Sequence, residues 1–186
     1  MTETPDYSVI RKENNIELRL YPAYIKAEVA ITDTSHQKAV FKGFNILADY
    51  IFGNNIKAEK IAMTSPVQVS QSQKIAMTKP VTIHGDGNYT VAFIMPLGFT
   101  QDTLPIPKND ATQFTSMPPH TMAAIRYSGY FQGERISKAK QRLGLWLEKE
   151  GLETEGDFIV AGYNPPWVPG FLARNEVMIV IKTVEG

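Results

Sequence analysis

Few residues in this chain are of the kinds that make or break bonds, and their spacing narrows the chemistry open to it. The histidines are His36, His84 and His120. His84 shares a Gly-rich turn with Asp86, but a metal held there would lack further ligands nearby. His120 follows Pro118 and Pro119 in a turn, which predicts an exposed ring. His36 falls in the first turn of a helix, beside an apolar stripe, where capping or a solvent-facing role competes with metal ligation. There is no cysteine, which excludes disulfides, thiolate metal sites, iron–sulfur clusters, a thiol nucleophile and covalent c-type haem attachment. No Ser, His and Asp set with a nucleophile elbow, no Gly-rich phosphate loop after a strand and no carboxylate pair is visible. Tyr163 is the obvious polar group in an apolar stretch, and a buried tyrosine ordinarily finds a hydrogen-bond partner. On these motifs catalysis has no candidate, and an enzyme is not expected.

Two stretches carry binding potential. The octets KIAMTSPV at 60 to 67 and KIAMTKPV at 74 to 81 match at seven of eight positions. Alternating Ile, Met and Val suit a half-buried hairpin, and the methionines would equally offer a soft surface to a flat aromatic ligand. The segment AGYNPPWVPGFLARNEV at 161 to 177 is stiff and apolar, with Tyr163, Trp167, Phe171 and Leu172. Such a loop needs a groove to lie in or a ligand to cover. Within it Arg174 and Glu176, two apart, point to one side of a strand as an ion pair.

The elements that position these residues follow from periodicity. Residues 16 to 31, IELRLYPAYIKAEVAI, alternate with a period of two broken at Pro22, which reads as two strands or one bent strand. A helix follows over 34 to 52, with capping-box spacing at Thr34 and Gln37 and a stop at Gly53-Asn54-Asn55. Its stripe of Val40, Phe44, Leu47 and Ile51 is widened by Phe41, Ala48 and Phe52, more than one contact surface requires, so a cavity between helix and sheet is expected. Strand-like runs span 60 to 71, 74 to 84 and 89 to 96, the last two joined by the turn HGDGN. Residues 97 to 111 read as a Pro-rich linker without an element of its own. Beyond it come strands at 113 to 117 and 121 to 127, a helix at 134 to 150 with Ile136, Ala139, Leu143 and Leu147 on one face, and strands at 158 to 163 and 176 to 183.

The order predicts an α+β fold of two pseudo-repeat halves, 7 to 96 and 112 to 184, forming a twisted, largely antiparallel sheet or partial barrel flanked by two helices. With 186 residues, 43% of them apolar, the chain suits a single domain burying about 70% of its unfolded surface. Nineteen basic residues balance nineteen acidic ones, which argues against nucleic acid and a polybasic membrane surface. No apolar run is long enough to span a bilayer and no signal-peptide pattern opens the chain, so membrane insertion is not expected and the location expected is cytoplasmic.

An octet KIAMTSPV after a helix ending YIFGNN, a strand ending FIMP, a loop with LPIP, and AGYNPPW followed by RNEV form a series running from about Tyr7 to Lys182. In this order they resemble the SOUL haem-binding protein family. The resemblance implies two pseudo-repeats related in shape to bacterial effector-binding domains, and non-covalent binding of haem or another tetrapyrrole. The implied surface is Val40, Phe41, Phe44, Leu47, Ala48 and Ile51 of the first helix with Tyr163 and Trp167; the helical period selects most of the same helix residues independently. His36 is the candidate ligand for haem iron. The position that carries a proposed axial histidine in some vertebrate relatives is Leu20 here, and the positions suggested to meet the propionates are not basic, leaving Lys42, Arg126, Arg174 or solvent. The expected function is buffering or transfer of haem. The alternative is an effector-binding module for another flat or amphiphilic organic ligand in the same cleft, whose hallmark for a cation would be a buried carboxylate, which no residue of the first-helix stripe supplies.

Overall fold

The computed structural model describes residues 6–32, 35–57, 75, 81–84, 88–96, 98–129, 133–163, 169 and 173–182. Strands β1 (Ser8–Glu13) and β2 (Ile16–Tyr21) form a hairpin. Its turn places Asn14 at a φ of 54°, in the left-handed region that Asn tolerates. The period-two segment continues as a separate strand, β3 (Tyr24–Thr32), parted from β2 by Pro22, which has no amide hydrogen for a ladder. Helix α1 (His36–Ile51) follows, then the short β4 (Asn55–Ile56). The hairpin around the HGDGN turn is β5 (Val81–His84) with β6 (Asn88–Ile94). Both octets lie outside the described residues, apart from Ile75 and the backbone of Val81.

After β6 the stretch expected to hold no element contains β7 (Ile106–Pro107). This two-residue strand pairs with β4 through Asn55 and Pro107 and through Ile56 and Ile106. It was hidden because a proline can stand on the outer edge of so short a pairing without leaving a ladder bond unmade. Strand β8 (Gln113–Met117), strand β9 (His120–Ser128), helix α2 (Glu134–Glu150), strand β10 (Thr154–Gly162) and strand β11 (Arg174–Ile181) complete the chain. Helix α2 ends at Gly151, whose φ of 65° suits a residue without a Cβ. Its buried face holds Trp146 besides the four residues the helical spacing predicts.

Nine strands form one antiparallel sheet in the order β1-β2-β9-β11-β10-β5-β6-β3-β8. The two residues Pro22 and Ala23 link the second strand of that order to the eighth, and Pro118 and Pro119 link the ninth to the third. Links this short draw the two ends of the sheet together. The rings of Tyr21 and Tyr24 stand 6.4 Å apart, and the sheet curls without closing into a barrel. The fold is α+β, with a twisted sheet and two helices.

Both helices lie on one face. Helix α1 packs on β3 and β6 and α2 on β9 and β11, so Ala27, Val29, Val91, Phe93, Ile125 and Val177 form a common core with Leu47, Ile51, Leu143 and Trp146. Because strand side chains alternate, the intervening residues Tyr21, Met122, Ala124, Ala161, Tyr163 and Met178 gather in a second cluster on the helix-free face. At Gly43 helix α1 approaches the sheet closely. A Cβ on Gly43 would stand 2.5 Å from Val91 Cγ2; the helix backbone sits directly on the strand. No described helix is long and apolar enough to cross a membrane.

Candidate functional site

The apolar stripe of α1 spreads around the helix as an arc, and successive positions have different fates. At about 3.6 residues per turn, Leu47 and Ile51 point into the sheet and are fully buried. Val40 and Phe44 are half-buried along the flank, with Phe44 edge-on to Phe93 at 5.5 Å between ring centroids. Ala48 is buried at the margin, while Phe41 is 66% exposed and Phe52, which caps the helix, 60% exposed. Phe41 and Phe52 are eleven residues apart, three helical turns, so they share a line about 16 Å long with Ala48 between them. Of the six helix residues expected to form the surface, Leu47, Ile51 and Ala48 are buried; the part a ligand can reach is Phe41, with the edges of Val40 and Phe44.

Tyr163 is not part of that surface. It follows β10 in phase with Ala161, which directs it to the helix-free face with the sheet between it and α1. There its hydroxyl donates to Glu176 Oε2 at 2.6 Å. Glu176 has no exposed surface, and Arg19 is 2% exposed. Arg19 holds the carboxylate in a fork, Nη1 donating to Oε2 at 2.6 Å and Nη2 to Oε1 at 3.0 Å. Its Nε donates to Glu17 Oε2 at 2.9 Å. Arg174 donates to Glu176 Oε1 from Nη2 at 2.8 Å, which is the ion pair that the two-residue spacing predicts. The guanidinium carbons of Arg19 and Arg174 stand 4.3 Å from the centre of the Tyr7 ring and 4.2 Å from that of Tyr163. These are cation–π distances.

The electrostatics follow from this geometry. Burial alone would lift the Glu176 carboxyl, but hydrogen bonds from Arg19, Tyr163 and Arg174 and the charge of Arg19 outweigh it and pull the group down to about 2. Burial, then the Glu176 charge and hydrogen bond, push the Tyr163 phenol well above its ordinary range. A carboxylate so reluctant to take a proton and a phenol so reluctant to release one do not form an acid–base pair at neutral pH. The arrangement binds and orders charge.

The histidines divide similarly. The side chain of His36 and the whole of Trp167 lie outside the described residues. His84 is half-buried on the helix-free face, and burial followed by the charge of Lys26 lowers its pKa, an environment unfavourable to a cation. Among the described residues no three His, Asp or Glu side chains are grouped as a metal site. His120 belongs to β9 rather than to a turn and is half-buried. Its ring stacks on Tyr21 at 5.8 Å and 11°, and its Nδ1 lies 2.8 Å from the Pro118 carbonyl. The exposure expected after two prolines is lost because the curled sheet brings β2 and β3 beside this corner. A groove of about 370 Å³ lies between the end of α2 and β10, lined by Leu147, Glu148 and Phe158 among others, and includes none of the residues expected to bind a ligand.

The family model described as SOUL heme-binding protein matches residues 2–180. The chain belongs to the SOUL heme-binding protein family. No curated protein matches this SOUL chain significantly. Among solved structures it is similar to the EcmrR C-terminal domain, with 13% identity, a TM-score of 0.62 and coverage of 96% of this chain and 99% of that one. It is also similar to a hydrolase from Listeria innocua, at 12% identity and a TM-score of 0.58 over 93% of this chain and 94% of that one. EcmrR in its complex with DNA matches at 10% identity and a TM-score of 0.57, over 91% of this chain and 57% of that one. At these identities the likeness is one of fold. The SOUL chain thus shares a curled-sheet scaffold with differently named proteins.

What sequence reasoning missed is Arg19. Its partner Glu176 is 157 positions away, and a single arginine in an alternating strand gives no sign of facing inward. The visible signal was Glu176 itself, a carboxylate within the apolar run NEVMIVI.

Proposed function

We propose that this SOUL-family chain binds haem or another tetrapyrrole non-covalently, for buffering or transfer, on the outer limb of α1. The observation that carries the reading is the pair of exposed phenylalanines, Phe41 and Phe52, flanking Ala48 on one line of the helix. Two aromatic faces with a small residue between them make a shelf for a flat apolar ring system. The chain contributes burial, and its lack of cysteine rules out a thioether or thiolate bond. Among the basic residues considered for the propionates, only Lys42 lies on α1; Arg126 and Arg174 extend from the helix-free face. A site holding its ligand chiefly by apolar contact suits uptake and release, since oxygen activation requires a defined proximal ligand. Titrating haemin into micromolar protein should shift the Soret band, and the absence of any shift would sink the reading. If the shift appears, an unchanged spectrum in His36→Ala would eliminate His36 as a ligand.

A second reading draws on a different surface. Glu176 is the buried carboxylate that an effector-binding module for a flat organic cation requires, and the fold is that of the EcmrR C-terminal domain. Thermal-shift screening of lipophilic cations against porphyrins separates the two, because only the first class should stabilise the protein if this reading holds.

A further inference from the structure

The groove between the second half of α2 and the start of β10 stands open because of one local departure in each of its walls. In the helix wall the departure is Gly144. A glycine inside a helix is destabilising relative to alanine. Gly43 of α1 is small because Val91 lies against it, whereas a Cβ on Gly144 would meet nothing within 4 Å among the described residues. In the strand wall, β10 advances four positions, from Glu155 to Ile159, while β11 advances two, from Val180 to Met178. The surplus is a bulge at Gly156, Asp157 and Phe158, with Gly156 at a φ of 72°, and all three line the groove. Bulges recur beside binding sites because they re-aim side chains. Leu147 and Ile179, each 4% exposed, form the floor, and Leu152 and Phe158 are half-buried on the sides.

The walls carry charge of one sign. Glu148 lines the groove from α2 and Asp157 from β10, with no Lys or Arg in the lining among the described residues. Neighbouring carboxylates are paired, Glu150 with Arg11 and Glu153 with Lys182. Glu148 and Asp157 have no such partner among the described residues. Lys140 stands at the other end, 5.9 Å from the centre of the Phe158 ring and about two helical turns from Glu148. We propose that this groove binds a small amphiphilic ammonium ion, its hydrocarbon part lying over Gly144 between Leu147, Leu152 and Phe158 and its charged end between Glu148 and Asp157. A volume of about 370 Å³ suits a small molecule. The acidic walls repel a carboxylate such as a haem propionate, so the occupant differs from the tetrapyrrole of α1. This inference rests on neither reading of the function.

Heteronuclear NMR spectra of the full chain, recorded with increasing hexylammonium chloride at neutral pH, test it. Methylammonium chloride and sodium hexanoate at matched ionic strength are the controls. Saturable shifts are expected at amides lining the groove, with hexylammonium alone. Affinity should fall about tenfold in Glu148→Gln/Asp157→Asn, which loses two exposed ion pairs. Binding should vanish in Gly144→Leu, whose melting temperature should nevertheless rise, because leucine favours a helix more than glycine does. The absence of saturable shifts at millimolar hexylammonium overturns the proposal, as does an equal response to hexanoate or an unchanged affinity in Gly144→Leu. If Gly144→Leu does not fold, the double variant decides: unchanged affinity there overturns the proposal. Shifts at Tyr163 and Glu176 in place of the groove would leave the second reading standing and remove this one.

Discussion

Gly43 lies against Val91 so closely that a Cβ added to it would stand 2.5 Å from one methyl carbon of Val91 and 2.6 Å from its Cβ. The clash is with the stem of a fully buried β-branched side chain, which has no free rotamer to retreat into. In an open helix, Gly→Ala would stabilise by about 1 kcal/mol. Here Gly43→Ala should instead destabilise by about 1 to 3 kcal/mol, the usual cost of overpacking. Urea unfolding followed by circular dichroism checks the sign; a stabilised variant would mean that α1 does not rest on β6 in this way.

Acid should act through Glu176. Its carboxyl is lowered from 4.5 to about 2 in the folded chain, so its contribution is fully present above the unfolded value and is lost as pH falls from about 4.5 toward 2. The size is about 3 kcal/mol, at 1.4 kcal/mol per unit. Glu176→Gln should be destabilised by about 3 to 5 kcal/mol at neutral pH, because it strands Arg19. It should also lose the part of the acid-dependent slope that Glu176 supplies, read by chemical denaturation, while Glu17 and Glu28, whose carboxyls are lowered as well, against the effect of burial, by hydrogen bonds and ion pairs with Lys12, Arg19 and Lys26, keep theirs.

Alkali should act through the tyrosine corner. Burial, the main cause, pushes both Tyr21 and Tyr24 up to about 12. Raised values mean that stability is intact below pH 10, where an unfolded tyrosine begins to ionise, and is lost between about 10 and 12. Each residue accounts for about 2 to 3 kcal/mol. Tyr21→Phe keeps the stacking on His120 and should flatten the loss of stability with rising pH, read by guanidinium-free thermal melts across that range.

The shelf on α1 separates binding from folding. Phe41→Ser or Phe52→Ser should weaken haemin binding about tenfold or more, given roughly 1.5 to 3 kcal/mol for covering a phenylalanine. Melting temperature should change little, since both rings are mostly exposed. Leu47→Ala should do the reverse, costing about 2 to 5 kcal/mol of stability as a core cavity. Equal loss of haemin affinity in Phe41→Ser and in a substitution on the far surface, such as Lys138→Ser, would count against the shelf.

Much of the architecture was legible because it rests on local rules. Helix α2 begins and ends where spacing and Gly151 place it, and β8 spans the predicted residues. Strand β1 escaped because nearly all its side chains are exposed, so an edge strand of this kind carries no alternation to detect. The site was harder for a related reason. Periodicity says that Tyr163 and the α1 stripe are each apolar, but not which side of the sheet each occupies. That depends on strand pairings such as Val160 with Ile83 and Val160 with Val177, which no short window contains. The Arg174–Glu176 pair could be read from a spacing of two; the third member, Arg19, could not.

The order of strands also governs when this chain can fold. Strand β2 leaves the ribosome early, yet its partner across the sheet is β9, with Ile16 opposite Ile125 and Tyr21 opposite His120. The first half therefore cannot complete its hydrogen bonding from its own residues, and most of the chain must be synthesised before β2 has a neighbour other than β1. Pairings so distant in sequence carry a high contact order and slow the search for the native sheet. During that interval β2 offers an open edge, which the charges of Arg11, Lys12 and Glu13 on the adjoining β1 help keep from pairing with other chains.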